Sequence, residues 1–190
     1  GDAPVSEGVW KKIDETVVAA ARSQLTARRL LHVDGPYGLG LKSIPGPDLP
    51  AVGGEGGAKV VSSGVLPILS ISDRFTLPVR DIANFEQYGL VLDLGGAARA
   101  AMRCARKEDD LLFNGSRELG VSGLLAARGV QSSKLKPWTE VGTAAEDIMA
   151  AINKLDAVGC HGPYTMALTP ERYNVLFRRY PQGPGTELEH

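Results

Sequence analysis

Residues 35–80 read "GPYGLGLKSIPGPDLPAVGGEGGAKVVSSGVLPILSISDRFTLPVR". Glycine and proline crowd the first half, and Pro45, Pro47 and Pro50 forbid a helix there. The second half is rich in β-branched residues and is broken by Gly64 and Pro67. At its end Phe75, Leu77 and Val79 alternate with Arg74, Thr76, Pro78 and Arg80. That period of two predicts a strand with one buried and one wet face. Pro67 and Pro78 place these strands at sheet edges or ends. Such an arm has little core of its own and carries open edges. Monomers avoid open edges, because unpaired N–H and C=O groups recruit other chains. The stretch therefore predicts a projecting arm that neighbouring copies pair with, and hence an assembly.

The same stretch opens with a near match to the phosphate loop, GxxxxGK followed by Ser or Thr. That loop needs Gly directly before the Lys and a helix directly after it. Leu41 stands before Lys42, and the prolines that follow exclude the helix. "GPYG" is read instead as a turn. Gly35 and Gly38 supply backbone angles that a Cβ would oppose, and Pro36 stiffens it.

Bulk properties narrow the class. The chain has 190 residues, 43% hydrophobic and 23% charged, with net charge −1. That fits a soluble globular chain of one or two lobes. The charge balance gives no support to nucleic-acid binding. No apolar run reaches the ~20 residues of a membrane span. No signal peptide is visible, although the chain begins at Gly1 without Met. Cys104 and Cys160 lie far apart without metal-type spacing, which fits a reduced, cytoplasmic setting.

The other elements follow from periodicity and caps. Residues 6–27 predict a helix capped by Ser6, with Val9, Ile13, Val17, Ala21 and Leu25 in one stripe that Trp10 widens. Leu30 to Val33 predicts a short strand, and a short helix follows Asp81. Asp93 caps a long helix. Ala97, Ala98, Ala101 and Ala105 give it a small-residue face, and Arg99, Arg103, Arg106 and Lys107 a basic one. Residues 113–125 are turn-rich. Thr143 and Glu146 predict a capping box that opens a helix to about Val158. "YTMAL", 164–168, reads as a strand. Thr169 and Pro170 supply an N-cap and an N1 proline for a helix to about Tyr180. The mixed order is α+β.

Chemistry-bearing residues are few. The histidines are His32, His161 and His190. Cys160 and His161 are adjacent, which on a strand points them to opposite faces and opposes a nucleophile–base pair. Glu108, Asp109 and Asp110 read as a charged helix end answering Arg103 and Arg106; Glu108 is also a candidate inter-subunit partner. Trp10 and Trp138 read as core or contact residues. The residues supply no catalytic set, no metal-ligand set and no cofactor platform, so the chain is read as a non-enzyme.

Four passages carry a family resemblance: "ARSQLTARRLLHVDGPYG", "LPILSISDRFTLPVRDI", "ARKEDDLLFNGSRELGVSGLL" and "HGPYTMALTPERY". In this order, from about residue 9 to residue 180, the chain resembles the shell protein of encapsulin nanocompartments, the linocin-type bacteriocin family. The resemblance implies the tailed-phage major-capsid fold. It maps an N-terminal helix and strand onto 1–43, an extended loop (E-loop) onto 44–74, a peripheral domain onto 75–136 and an axial domain onto 137–190. Family members run on by several tens of residues, so the rest of the axial domain and part of the cargo groove are expected beyond this chain.

The function implied is containment. Such subunits form closed icosahedral shells in the cytoplasm, around dye-decolourising peroxidases or ferritin-like iron oxidases. A short C-terminal cargo peptide docks on the inner wall. Leu25, Arg28 and Leu30 are the implied groove residues, the leucines taking apolar anchors and Arg28 holding carbonyls or an acid. Ordinary helix packing is the alternative for all three. The passage Arg179, Tyr180, Pro181, Gly183 and Gly185 to Thr186 resembles the five-fold pore loop. Some members bind flavin beside a tryptophan in the strand after the E-loop; Arg80 holds that place here, so no cofactor is expected. His32 stands where an Asp is frequent. The implied partners are further copies of the chain and a cargo enzyme, with neither nucleic acid nor membrane. A phage major capsid protein shares the implied fold, and a bacteriocin- or protease-type enzyme is the remaining alternative.

Overall fold

In the computed structural model, which describes residues 5–53, 57–181 and 183–189, helix α1 spans Glu7–Gln24. Ser6 holds the N-cap position, but its hydroxyl makes no cap bond. Its N–H instead donates to Glu86 Oε1 at 2.9 Å. Val9 and Ile13 from the predicted stripe are buried and meet Leu92; Leu77, Ile82 and Phe85 pack around them. Burying a side chain of this size stabilises by about 1.5–3 kcal/mol. Trp10, at the edge of the stripe, stays 36% exposed.

The long helix is α4, Gly95–Asn114, which packs along α1. Leu94 rather than Asp93 holds the N-cap position, so the helix starts one residue later than expected, although Asp93 Oδ1 still accepts the Gly95 N–H at 2.8 Å. Its buried small residues are Ala97, Ala100, Ala101 and Ala105. Ala98 is only half-buried; Ala100 takes the place expected of it. Between α1 and α4 the predicted strand at Leu30–Val33 is replaced by a short helix α2, Ala27–Leu30. The chain from Leu31 on is extended and unpaired before the GPYG turn. Gly35 and Gly38 have φ of 121° and 84°, the left-handed half that favours glycine. No helix follows Lys42, so the phosphate-loop context is absent.

The arm is a two-stranded hairpin. Strand β1, Ser43–Pro45, pairs antiparallel with β2, Val65–Pro67, with Ile44 opposite Leu66. Further out, Leu49 N–H donates to the Ser62 carbonyl at 2.8 Å, and Val52 and Val60 exchange two bonds of 2.9 Å. The chain crosses itself closely there: a Cβ on Gly64 would lie 2.1 Å from the Pro47 carbonyl oxygen. Every residue of both strands is exposed. The remainder of the limb around residues 54–56 lies outside the described residues.

The alternation at 74–80 does not make a strand. Beyond the Ile68 N–H, which donates to the Lys42 carbonyl at 2.9 Å, residues 69–78 have no ladder partner among the described residues, and helix α3, Val79–Tyr88, starts inside the predicted strand. Pro78, extended at the N-cap, lets the helix begin, and Asp81 supplies an acid in its first turn. Val79 is therefore 81% exposed. After α4 comes a small hairpin of β3, Gly115–Ser116, and β4, Val121–Ser122.

The chain divides into two compact units, Gly1–Ala127 and Arg128–His190. The second is built on α5, Thr143–Ala157, and α6, Pro170–Val175. Its core is Trp138, Ala144 and Leu176. The capping box is not formed. Gly142, at φ 96°, holds the N-cap and makes Thr143 the first helical residue. Thr143 Oγ1 then donates back to the Glu140 carbonyl at 2.6 Å, and Glu146 turns to Lys136 at 2.7 Å. Residues 164–168 are extended without a ladder partner. Thr169 and Pro170 do start α6, with Thr169 Oγ1 accepting the Arg172 N–H at 3.4 Å. The helix stops at Val175 rather than about Tyr180. The carbonyls of Leu176 and Arg178 are taken by the N–H groups of Leu188 and Glu187, at 2.9 and 3.1 Å. The described residues thus form an α+β chain with two small antiparallel ladders.

Candidate functional site

A cleft of about 480 Å³ lies in the first unit. One wall is the C-terminal half of α1, from Val17 to Leu25. The others are α4, from Ala97 to Glu108, and the extended segment carrying Ile71, Asp73 and Phe75. The surface is predominantly apolar because α4 presents alanines, whose small side chains leave a furrow. Of the three expected groove residues, Leu25 and Arg28 line it and Leu30 does not. Leu25 is the C-cap residue of α1 and leaves the helical region. The chain therefore turns there and sets Arg28 on the rim.

The charges of the cleft other than Arg22 are paired. Arg28 meets Glu108 through Nε–Oε1 at 2.5 Å and Nη2–Oε2 at 2.9 Å. Those bonds raise the guanidinium further above its ordinary range. Asp73 accepts from Arg103 Nε at 2.6 Å and from the Arg74 N–H at 2.7 Å. The Arg103 bond is the main reason its carboxyl sits below the usual range. Arg22 is the cleft cation without a partner among the described residues.

The acidic run ending α4 does not answer Arg103 and Arg106 as expected. Glu108 binds Arg28, and Asp109 accepts the N–H groups of Thr26 and Ala27 at 2.8 and 3.1 Å. Asp110 pairs with Lys107 at 2.9 Å and with Asn114. Arg106 Nε donates to Gln24 Oε1 at 3.0 Å. Packing of α4 against α1 and α2 turns these side chains outward from their own helix. The partners of Glu108, Asp109 and Arg106 lie about eighty residues earlier, beyond the reach of any helical spacing rule, whereas Asp110 stays with its own helix. A second cleft of about 250 Å³ holds His32, beside Leu31, Val33 and Leu112, and shares Arg28 and Glu108 with the first.

The passage read as a pore loop is a tight hairpin in the second unit. Arg179 and Thr186 form a bridge, and the Tyr180 N–H donates to the Gly185 carbonyl at 3.1 Å. Gly183 N–H donates to the Tyr180 carbonyl at 3.4 Å. Pro181 is exposed, and Gln182 lies outside the described residues. Its base is tied by buried Glu187, which accepts from Arg178 at 2.9 Å.

Other chemistry stays local. His161 Nδ1 lies 3.0 Å from Asp156 Oδ1, and the Tyr164 hydroxyl donates to the same carboxylate. The Tyr164 bond is the larger cause of that carboxyl's lowered pKa. The Cys160 carbonyl accepts from Tyr164 at 2.8 Å, and its N–H donates to the Leu155 carbonyl at 3.0 Å. His190 lies outside the described residues. Arg80 sits on the first turn of α3, not on a strand. Trp138 is a core residue whose Nε1 donates to Asp147 at 2.9 Å. Among the described residues no group of His, Cys, Asp and Glu is placed to hold a metal ion, and no helix is long and apolar enough to cross a membrane.

A family model described as an encapsulating protein for peroxidase matches residues 1–190. The type 1 encapsulin shell protein EncA of Myxococcus xanthus is 34% identical, over 98% of this chain and 68% of its own. A diheme-cytochrome-encapsulin shell fusion protein of Kuenenia stuttgartiensis is 32% identical, over 95% of this chain and 52% of its own. A type 1 encapsulin shell protein of Rhodococcus erythropolis is 26% identical, over 92% and 66%. The chain thus spans between about half and two thirds of the length of these relatives. With the whole chain matched and relatives of this identity, it belongs to the encapsulin shell protein family.

Proposed function

We propose that this chain is the structural subunit of a closed icosahedral shell that encloses a cargo enzyme in the cytoplasm. The observation that carries the reading is the hairpin at 43–67. It presents Val52, Val60 and Val65, each at least 65% exposed, on strands with free outer edges. A subunit acting alone gains nothing from that surface, whereas neighbouring copies bury it and satisfy its backbone. The family description names a peroxidase as cargo; a ferritin-like iron oxidase fits the same reading. The redox or iron chemistry then belongs to the cargo, and the subunit has no catalytic role and no resident cofactor. The arrangement is that of the tailed-phage capsid fold, with residues 137–190 in the axial domain and residues 179–186 at the five-fold pore.

Cargo entry is assigned to the α1–α4 cleft. Its apolar walls suit an extended peptide with aliphatic side chains, with Leu25 among the contacts and Arg28 on the rim. Leu30, half-buried at the end of α2, is not among the cleft residues. Particle mass and electron microscopy of the expressed protein test the shell. Hollow particles of many subunits are expected, and a stable monomer would sink the reading. Co-expression with a peroxidase bearing its C-terminal peptide tests the cleft. Leu25→Asp is expected to give empty particles; full loading of that variant would remove the cleft assignment.

A further inference from the structure

Two adjacent carboxylates on α4 grip three adjacent residues of the cleft rim. Asp109 takes the N–H groups of Thr26 and Ala27 with its two oxygens, at 2.8 and 3.1 Å. Thr26 is the N-cap of α2, yet its hydroxyl makes no cap bond. The first amides of any helix lack acceptors of their own, so Asp109 provides what the local sequence does not. A helix of four residues is also too short to hold itself. One position earlier on α4, Glu108 engages Arg28 through both of its oxygens. That two-point geometry fixes direction as well as distance.

The location gives the grip its consequence. Arg28 and Glu108 both line the 480 Å³ cleft and the adjoining 250 Å³ cleft. Glu108 also lines a third, of about 280 Å³, with Pro67, Leu69 and Ile71. The ion pair therefore borders the first two spaces, and Glu108 borders all three.

We infer that Glu108 and Asp109 form a positioning clamp that fixes the Thr26–Arg28 rim and withdraws Arg28's charge from recognition. The cleft then selects its occupant by apolar shape, and an acidic group on the occupant gains nothing from Arg28. This rests on the docking reading above. Asp109 sets where the rim stands, and Glu108 sets what charge it shows.

The test uses the assembled protein and two probes: a short acetylated peptide of Ser, Leu and Gly, and the same peptide with one Ser replaced by Asp. Wild-type protein is expected to bind both alike. Glu108→Gln frees Arg28 and is expected to favour the Asp peptide about tenfold, while Glu108→Asp restores indifference. Asp109→Asn is expected to weaken both peptides equally and to raise amide exchange at Thr26 and Ala27 about tenfold or more. A merely structural pair would not move the ratio between the peptides. Wild-type protein that already prefers the Asp peptide tenfold would overturn the inference, as would unchanged exchange in Asp109→Asn. Binding of neither peptide by wild-type protein would overturn docking in the cleft, and the exchange measurement would still decide the clamp.

Discussion

The α1–α4 body and the 43–67 hairpin use the same kinds of residue to opposite ends. In the body, valine and alanine are hidden: Val9 and Ala97 are 0% exposed. In the hairpin, valine is displayed, with Val52 at 75% and Val60 at 71%. The body is further tied by side chains, Glu86 to Ser6, Asp109 to Thr26 and Ala27, and Arg103 to Asp73. The hairpin is tied by backbone to backbone alone in the bonds given above. One region is complete within the subunit, and the other is a half-finished sheet. Apolar content alone does not distinguish a core from an interface; the position of the backbone's unmet hydrogen bonds does.

Removing residues 48–63 is the strongest way to break this contrast. The rungs at 43–45 and 65–67 remain, so a cooperative unfolding transition close to wild type is expected. Closed particles are expected to be lost. Normal particles by electron microscopy would mean that the hairpin is dispensable and the contrast without consequence.

Val9→Asp probes the other side. An unpaired carboxylate among Val9, Ile13 and Leu92 costs several kcal/mol, on the order of 2–7 by transfer estimates for polar groups and more for a charge. That is comparable to the stability of a whole domain. Loss of the cooperative transition in thermal unfolding is expected; a midpoint within a few degrees of wild type would show that α1 is not part of the core.

What was legible in the sequence divides along the same line. The α1 stripe, the long alanine-faced helix and the Thr169–Pro170 start of α6 were readable, because caps and periodicity are local signals. So was the arm, since prolines at 45, 47 and 50 leave few alternatives. The strands at 30–33, 74–80 and 164–168 were not. Extended residues form a strand only when a partner is in reach, and those segments have none among the described residues. The capping box failed because Gly142 moved the cap by one residue. Of the site, Leu25 and Arg28 came from family resemblance, and Leu30 was placed off the cleft wall. Asp73, Glu108 and Asp109 were missed as rim residues, since each acts on a residue at least thirty positions away.

A pair of enlarging substitutions gives a finer measure. Ala97→Leu overfills the α4 furrow and is expected to cost about 1–3 kcal/mol. Val60→Leu, on the exposed hairpin, is expected to stay within about 0.5 kcal/mol. Denaturant midpoints of unassembled subunits read both. Equal costs would mean that the hairpin is packed within the subunit after all.

Acid should separate the two regions most gently. Asp73 and Glu86 have folded-state pKa values below their ordinary 3.8 and 4.5, Asp73 chiefly through Arg103 and Glu86 through Ser6. A depressed carboxyl stabilises the fold at pH above its unfolded value. That contribution declines as pH falls through 4.5 and then 3.8, and it is gone below the folded values. Both groups are solvent-exposed, so the effect is local fraying rather than unfolding. The hairpin bonds join amides to carbonyls and do not titrate in this range. After correction for intrinsic rates, amide exchange at Ser6, whose N–H rests on Glu86, should accelerate below pH 4.5. Exchange at Val52 and Val60 should not change. Equal acceleration at both sites would show that the hairpin depends on the charged ties of the body, and that the two regions open as one unit.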